Sequence, residues 1–205
     1  GSDGNLIIHH DDDHITLWSP DIPPLVLYNI QAGIVDTHPS QPLLVNRKDD
    51  ELELWNLQSG QLVKSVYDPP TQEPMFAPDK DPIDVLYSPD GHYIASVVGS
   101  CVTVWDVSLS ARLYGPYCKN LMGTLAWKSD STILVVGTYR GREYDVINMT
   151  TLTQSQYPSG HDTGRAMDLT IVSGGEERFA TLGVDCRVRF WSFETFSEVF
   201  SSINS

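Results

Sequence analysis

A short pattern ending in tryptophan recurs along the chain, and repetition of this kind restricts the fold more than any single residue does. Three stretches align without a gap: Leu6 to Ser19 (LIIHHDDDHITLWS), Leu43 to Asn56 (LLVNRKDDELELWN) and Phe179 to Ser192 (FATLGVDCRVRFWS). Each opens on apolar residues, crosses a polar turn and alternates into Trp followed by Ser or Asn. An Asp stands six residues before each Trp: Asp12 before Trp18, Asp49 before Trp55, Asp185 before Trp191. A fourth copy, Ile94 to Asp106, reads as one residue shorter, with Gly99 at the Asp position and Trp105 at its end. A fifth, Leu134 to Asp145, is shorter still; Tyr144 or Val146 serves as its Trp.

The aromatic positions are spaced 37, 50, 39 and 47 residues apart. Alternation with period two in CVTVW and RVRFW is the mark of a strand, not of a helix. Each unit is therefore two strands joined by a tight turn. An apolar segment closed by turn residues precedes most units, as in Ile83 to Gly91 (IDVLYSPDG) and Gly123 to Ser131 (GTLAWKSDS). In the unit at Trp55, His38-Pro39-Ser40 supplies that turn. One more apolar strand follows, as in Leu62 to Tyr67 and Val199 to Ile203. The strands of a unit are then a, b, c and d. The units span approximately 3–30, 31–68, 82–117, 121–158 and 160–205, and 69–81 forms a proline-rich surface loop. That loop reads equally as a linker or as a docking element.

Over nearly its whole length the chain resembles the WD-repeat family. The family's Trp-Asp ending is intact only at Trp105-Asp106, and its Gly-His pair before strand a occurs at Gly160-His161. The resemblance implies an all-β propeller with about five four-stranded blades present. The strand count runs from strand b of the first repeat to strand d of the fifth, so the chain is expected to be an incomplete portion of a larger propeller. The resemblance also implies a buried hydrogen-bonded set in the last repeat: His161, Thr181, Asp185 and Trp191. A buried indole N–H needs an acceptor, which gives this structural reading precedence over a catalytic one.

The formal net charge is −14, with 13 Lys and Arg against 27 Asp and Glu. Phosphate neutralisation needs clustered cations, so neither nucleic acid nor an anionic membrane is an expected partner. A protein or a basic peptide fits this field better, and another chain completing the propeller is a further possible partner. Strands alternate direction, so the b–c turns and d–a loops share one face of the array. That face collects Asp11, Asp13, Asp50, Glu51, Asp68, Asp79, Asp81 and Asp162. Tyr139, Arg140 and Arg142 lie in the b–c turn of the fourth unit and read either as an interface anchor or as ordinary surface charge.

The segment His9-His10-Asp11-Asp12-Asp13-His14 is rich in potential ligands, but neighbouring strand residues point to opposite faces, and no metal or other cofactor is expected. No phosphate loop, nucleophile elbow or zinc-spaced cysteine pair occurs. Three widely spaced cysteines, Cys101, Cys118 and Cys186, read as reduced and mostly buried thiols of an intracellular protein. No basic-then-apolar leader opens the chain. The leading functional expectation is a non-catalytic interaction scaffold. The alternatives are a regulatory or sensor module of a larger multidomain enzyme, such as a nucleotide-switch protein, and a structural propeller completed in trans in a coat or pore.

Overall fold

The computed structural model describes residues 7–11, 14–19, 22–28, 33–69, 82–99, 101–118, 122–138, 143–161, 166–172, 176–183 and 185–201. They form nineteen strands and no helix. The first sheet holds β1 (Ile7–Asp11), β2 (His14–Ser19) and β3 (Ile22–Tyr28). The second holds β4 (Ile34–Thr37), β5 (Leu43–Lys48), β6 (Glu51–Asn56) and β7 (Gln61–Tyr67). The third holds β8 (Pro82–Tyr87), β9 (Tyr93–Val98), β10 (Cys101–Asp106) and β11 (Arg112–Cys118). The fourth holds β12 (Met122–Trp127), β13 (Ile133–Thr138), β14 (Glu143–Asn148) and β15 (Thr153–Pro158). The fifth holds β16 (Ala166–Val172), β17 (Arg178–Gly183), β18 (Val188–Ser192) and β19 (Glu198–Ser201). Every sheet is an antiparallel meander in chain order. The expected four-stranded unit is thus present four times, and the first sheet has three strands among the described residues.

The sheets stack because both faces of a strand are apolar. Val45, Leu52 and Leu54 of the second sheet pack against Val85, Tyr87, Ile94 and Trp105 of the third. The opposite face of the third, with Ala95, Val97, Val102 and Val104, meets Leu125, Trp127, Leu134, Val136 and Ile147 of the fourth. Ala126, Val135, Tyr144 and Val146 then meet Leu169, Phe179 and Trp191 of the fifth. The c strands β10, β14 and β18 therefore turn their penultimate side chains, Trp105, Ile147 and Trp191, toward the preceding sheet. The first strands lie next to one another: β4 against β8, β8 against β12, β12 against β16. Carboxylates tie them together. Asp36 accepts the Tyr87 N–H and Asp84 accepts the Leu125 N–H, each at 2.8 Å.

Register corrects two sequence expectations. Trp18, Trp55 and Trp105 lie opposite Ile7, Leu44 and Ile94, eleven residues back in each case, whereas Trp191 lies opposite Phe179, twelve back. The copy ending at Trp105 is therefore not a short one; the hairpin ending at Trp191 is longer than it, and that of the fourth sheet, expected to be the shortest, is longer again, with Leu134 opposite Ile147. In the fourth sheet Leu134 lies opposite Ile147, so Ile147 holds the Trp position and neither Tyr144 nor Val146 does. The next residue has a common task. Asn56, Asp106 and Asn148 each accept two backbone N–H groups of the following turn, at 2.6–3.0 Å. Ser192 accepts from Glu194 and Thr195. This is why Ser, Asn or Asp follows the Trp: short polar side chains satisfy turn backbone.

The cysteine expectation is overturned. Cys101 and Cys118 stand directly opposite each other on β10 and β11 and are joined by a disulfide, while Cys186 takes no part in a disulfide and is exposed. Wide sequence spacing hid a cross-strand pair. The cysteine argument for an intracellular location lapses with it, since such bonds persist in oxidising compartments.

Candidate functional site

The last sheet gathers the four residues singled out in its repeat. His161 lies just before β16 and is buried; Thr181 sits on β17, Asp185 in the β17–β18 turn and Trp191 on β18. Trp191 Nε1 donates to Thr181 Oγ1 at 3.0 Å. Thr181 Oγ1 is 2.9 Å from His161 Nε2, and His161 Nδ1 is 3.0 Å from Asp185 Oδ1. A neutral imidazole gives one consistent direction: indole to hydroxyl, hydroxyl to Nε2, Nδ1–H to carboxylate. Asp185 also accepts the Arg187 N–H at 3.2 Å, and Arg189 Nη2 lies 3.9 Å from its other oxygen. Gly183, which the sequence did not single out, makes the arrangement possible. A Cβ there would stand 2.2 Å from His161 Nδ1 and 2.5 Å from Asp185 Oδ1.

The other repeat residues do not reproduce this set. Asp49 opens a two-residue turn between Lys48 and Glu51, is exposed, and has φ of 46°. Its counterpart in the third sheet is Gly99, with φ of 55°. Asp is tolerated there because short polar residues enter the left-handed region more readily than others. The shared offset of six residues thus hides two different turns, and only the longer one carries its Asp to a histidine. Trp55 donates instead to Glu53 at 3.0 Å. Trp105 lies beneath the Arg112 guanidinium, 5.4 Å from the ring centroid. Trp18 has its backbone on β2. Asp12, Asp13, Tyr139, Arg140 and Arg142 lie outside the described residues.

Of the expected acidic face, Asp68 is removed. Its carboxylate is fully buried and takes Arg47 Nη1 at 3.0 Å and Thr103 Oγ1 at 2.8 Å, with Arg112 Nη1 at 3.5 Å. Arg47 Nη2 donates to the Asp68 carbonyl at 2.7 Å. Burial pushes the Arg47 value down, and Asp68 and then Asp50 draw it back up. A buried charge needs such a partner, and this one joins the second sheet to the third. Asp50 is half-buried and its carbonyl accepts the Asp68 N–H at 2.7 Å; Glu51 is exposed and accepts the Ser65 hydroxyl. Asp11 ends β1, and Asp79, Asp81 and Asp162 lie outside the described residues.

On the opposite face the a–b turns are bonded to one another. His38 Nε2 donates to Gly91 O at 3.1 Å, the Asp90 N–H to Ser131 Oγ at 3.0 Å, and Ser129 N–H and hydroxyl to Glu177 at 2.7 and 2.8 Å. Asp130 is held at about 2 because hydrogen bonds from Lys128 and Thr132 outweigh its partial burial. A cavity of about 570 Å³ opens along β8, β12 and β16, lined among others by Asp84, Leu86, Thr124, Ala126 and Thr170. Among the described residues lining it, Asp84 is the one carboxylate and already accepts a backbone N–H, and none is His, Cys or Lys. Among the described residues no three His, Cys, Asp or Glu side chains gather to hold a metal.

No protein-family model matches the chain, and no curated protein matches it.

Proposed function

We propose that the chain is a portion of a WD-repeat-like β-propeller and serves as a non-catalytic scaffold that binds a protein or a basic peptide through its b–c turn face. The stacking supports the propeller: successive four-stranded sheets meet through the same pair of faces, with their first strands side by side. The fate of the buried polar groups supports the scaffold. His161, Asp185, Arg47 and Asp68 are engaged in holding turns and sheets, and among the described residues lining the cavity Asp84 has no second carboxylate or base beside it. Function in such a body falls to its loops. The net charge of −14 favours a cationic partner by steering encounter.

The test is charge reversal at Asp11, Asp13, Asp50 and Glu51, set against reversal at Asp90 and Asp130 on the other face. With a fluorescent oligo-lysine peptide as probe, the first set is expected to weaken binding and flatten its salt dependence, and the second to leave both nearly unchanged. An equal response to both sets refutes the placement.

A second reading, a structural propeller completed in trans, draws support from the outward face of the fifth sheet. Phe190 and Phe200 lie side by side there, 5.9 Å between centroids, and Phe200 is 58% and Leu182 38% exposed. The equivalent residues of the preceding sheets, Leu54, Val104 and Val146 among them, are covered by the next sheet.

A further inference from the structure

Two buried histidines hold turns in this molecule, and their Nδ1 atoms face different partners. His161 has a carboxylate behind its Nδ1. His38 has none. It lies in the a–b turn of the second sheet, 6% exposed, where its Nδ1 accepts two backbone N–H groups, from Ser40 at 3.0 Å and Gln41 at 2.9 Å. An Nδ1 that accepts carries no hydrogen, so the single ring proton sits on Nε2 and is donated to Gly91 O of the third sheet at 3.1 Å. A second proton on the ring would face two N–H donors at hydrogen-bond distance. It would break both bonds and drive the turn off the imidazole.

We propose that the seam between the second and third sheets is an acid-sensitive joint, closed by His38 only while its imidazole is neutral.

The neighbours fit this role. Gly91 has φ of 76°, and a Cβ there would stand 2.4 Å from two His38 ring atoms, so the ring is seated directly on the glycine. The Tyr87 ring meets it edge-on at 5.1 Å. The groups that act on its charge from the facing turn are Asp90 and His92. Burial pushes the His38 value down; the Gly91 bond draws it up, His92 lowers it and Asp90 raises it, leaving it below the ordinary value of about 6.5. Asp36, two residues earlier on β4, holds the Tyr87 N–H across the same seam and is raised by its burial.

The direction follows from linkage. A histidine whose folded value is depressed binds its proton more weakly than in the unfolded chain. Its contribution is complete above about 6.5 and is lost as pH falls through the folded value. Asp36 acts the other way, since its neutral form is favoured by burial. Loosening at His38 therefore sets in as pH falls below about 6.5.

The experiment is amide hydrogen exchange of the whole chain between pH 7 and pH 4.5, with rates normalised for their intrinsic pH dependence. In parallel, the His38 ring is titrated by nuclear magnetic resonance. Protection of the Ser40 and Gln41 amides is expected to fall by up to about tenfold for each pH unit between about 6.5 and the His38 midpoint, and to level off below that midpoint. That midpoint is expected below the free-histidine value of about 6.5. Amides of β17 and β18 keep their protection. His38→Gln retains an acceptor and a donor without a titrating proton, and its Ser40 and Gln41 amides are expected to ignore pH. Flat protection in the parent chain, a midpoint at or above 6.5, an equal fall throughout the molecule, or the same fall in His38→Gln would each overturn the proposal.

Discussion

At the scale of single residues, side chains of one type in equivalent-looking positions have unequal consequences. Replacing Asp185 by Ala leaves His161 Nδ1–H without its acceptor and removes a partner of the Arg187 N–H; the expected cost is about 1–3 kcal/mol in chemical denaturation. Asp49→Asn changes an exposed turn residue to one that also tolerates its positive φ, and is expected to stay within about 0.5 kcal/mol. Equal shifts of the two denaturation midpoints would contradict the assignment. The sequence brought His161, Thr181, Asp185 and Trp191 together because polar residue types recur at readable offsets. It said nothing of Gly183, because room for a neighbour's ring is a property of the folded turn and leaves no spacing behind.

At the scale of strands and sheets, strand existence was legible and register was not. Alternation marks a strand wherever one face differs from the other, and every a, b, c and d segment read from it corresponds to a strand in the described residues. Turn length decides register, and a two-residue turn and a longer one can be aligned without a gap, as the stretches ending at Trp55 and Trp191 were. Ile147 escaped for another reason: an aliphatic residue fills the Trp position, so the aromatic marker points elsewhere. A related detail is that β7, β11 and β19 each bulge by one residue opposite their Trp, whereas β15, opposite Ile147, runs without a break. A buried ion pair that the sequence did not reveal is Arg47–Asp68, whose carboxylate also takes the Thr103 hydroxyl of the third sheet. Asp68→Ala leaves a guanidinium buried without its carboxylate and is expected to cost about 3–5 kcal/mol. Arg47→Met combined with Asp68→Ala should recover most of that loss. A double-mutant cycle with no coupling would show that the two residues do not act as a pair.

At the scale of the whole molecule, the all-β architecture followed from the repeat alone, while the cross-strand disulfide followed from nothing in the sequence. A chain bearing an open apolar face is expected to self-associate as its concentration rises. Phe200→Glu places a charge on that face and should shift the solution mass, measured by sedimentation, toward the monomer. An unchanged mass distribution would argue against that face as the contact. Among the described residues, the turn-to-turn bonds from His38 to Gly91, Asp90 to Ser131 and Ser129 to Glu177 each join consecutive sheets. Such a row is a one-dimensional lattice with nearest-neighbour coupling. Disorder in one sheet directly weakens only those beside it, so the lattice melts from an end inward, and its calorimetric transition is broader than that of a single cooperative unit of the same size.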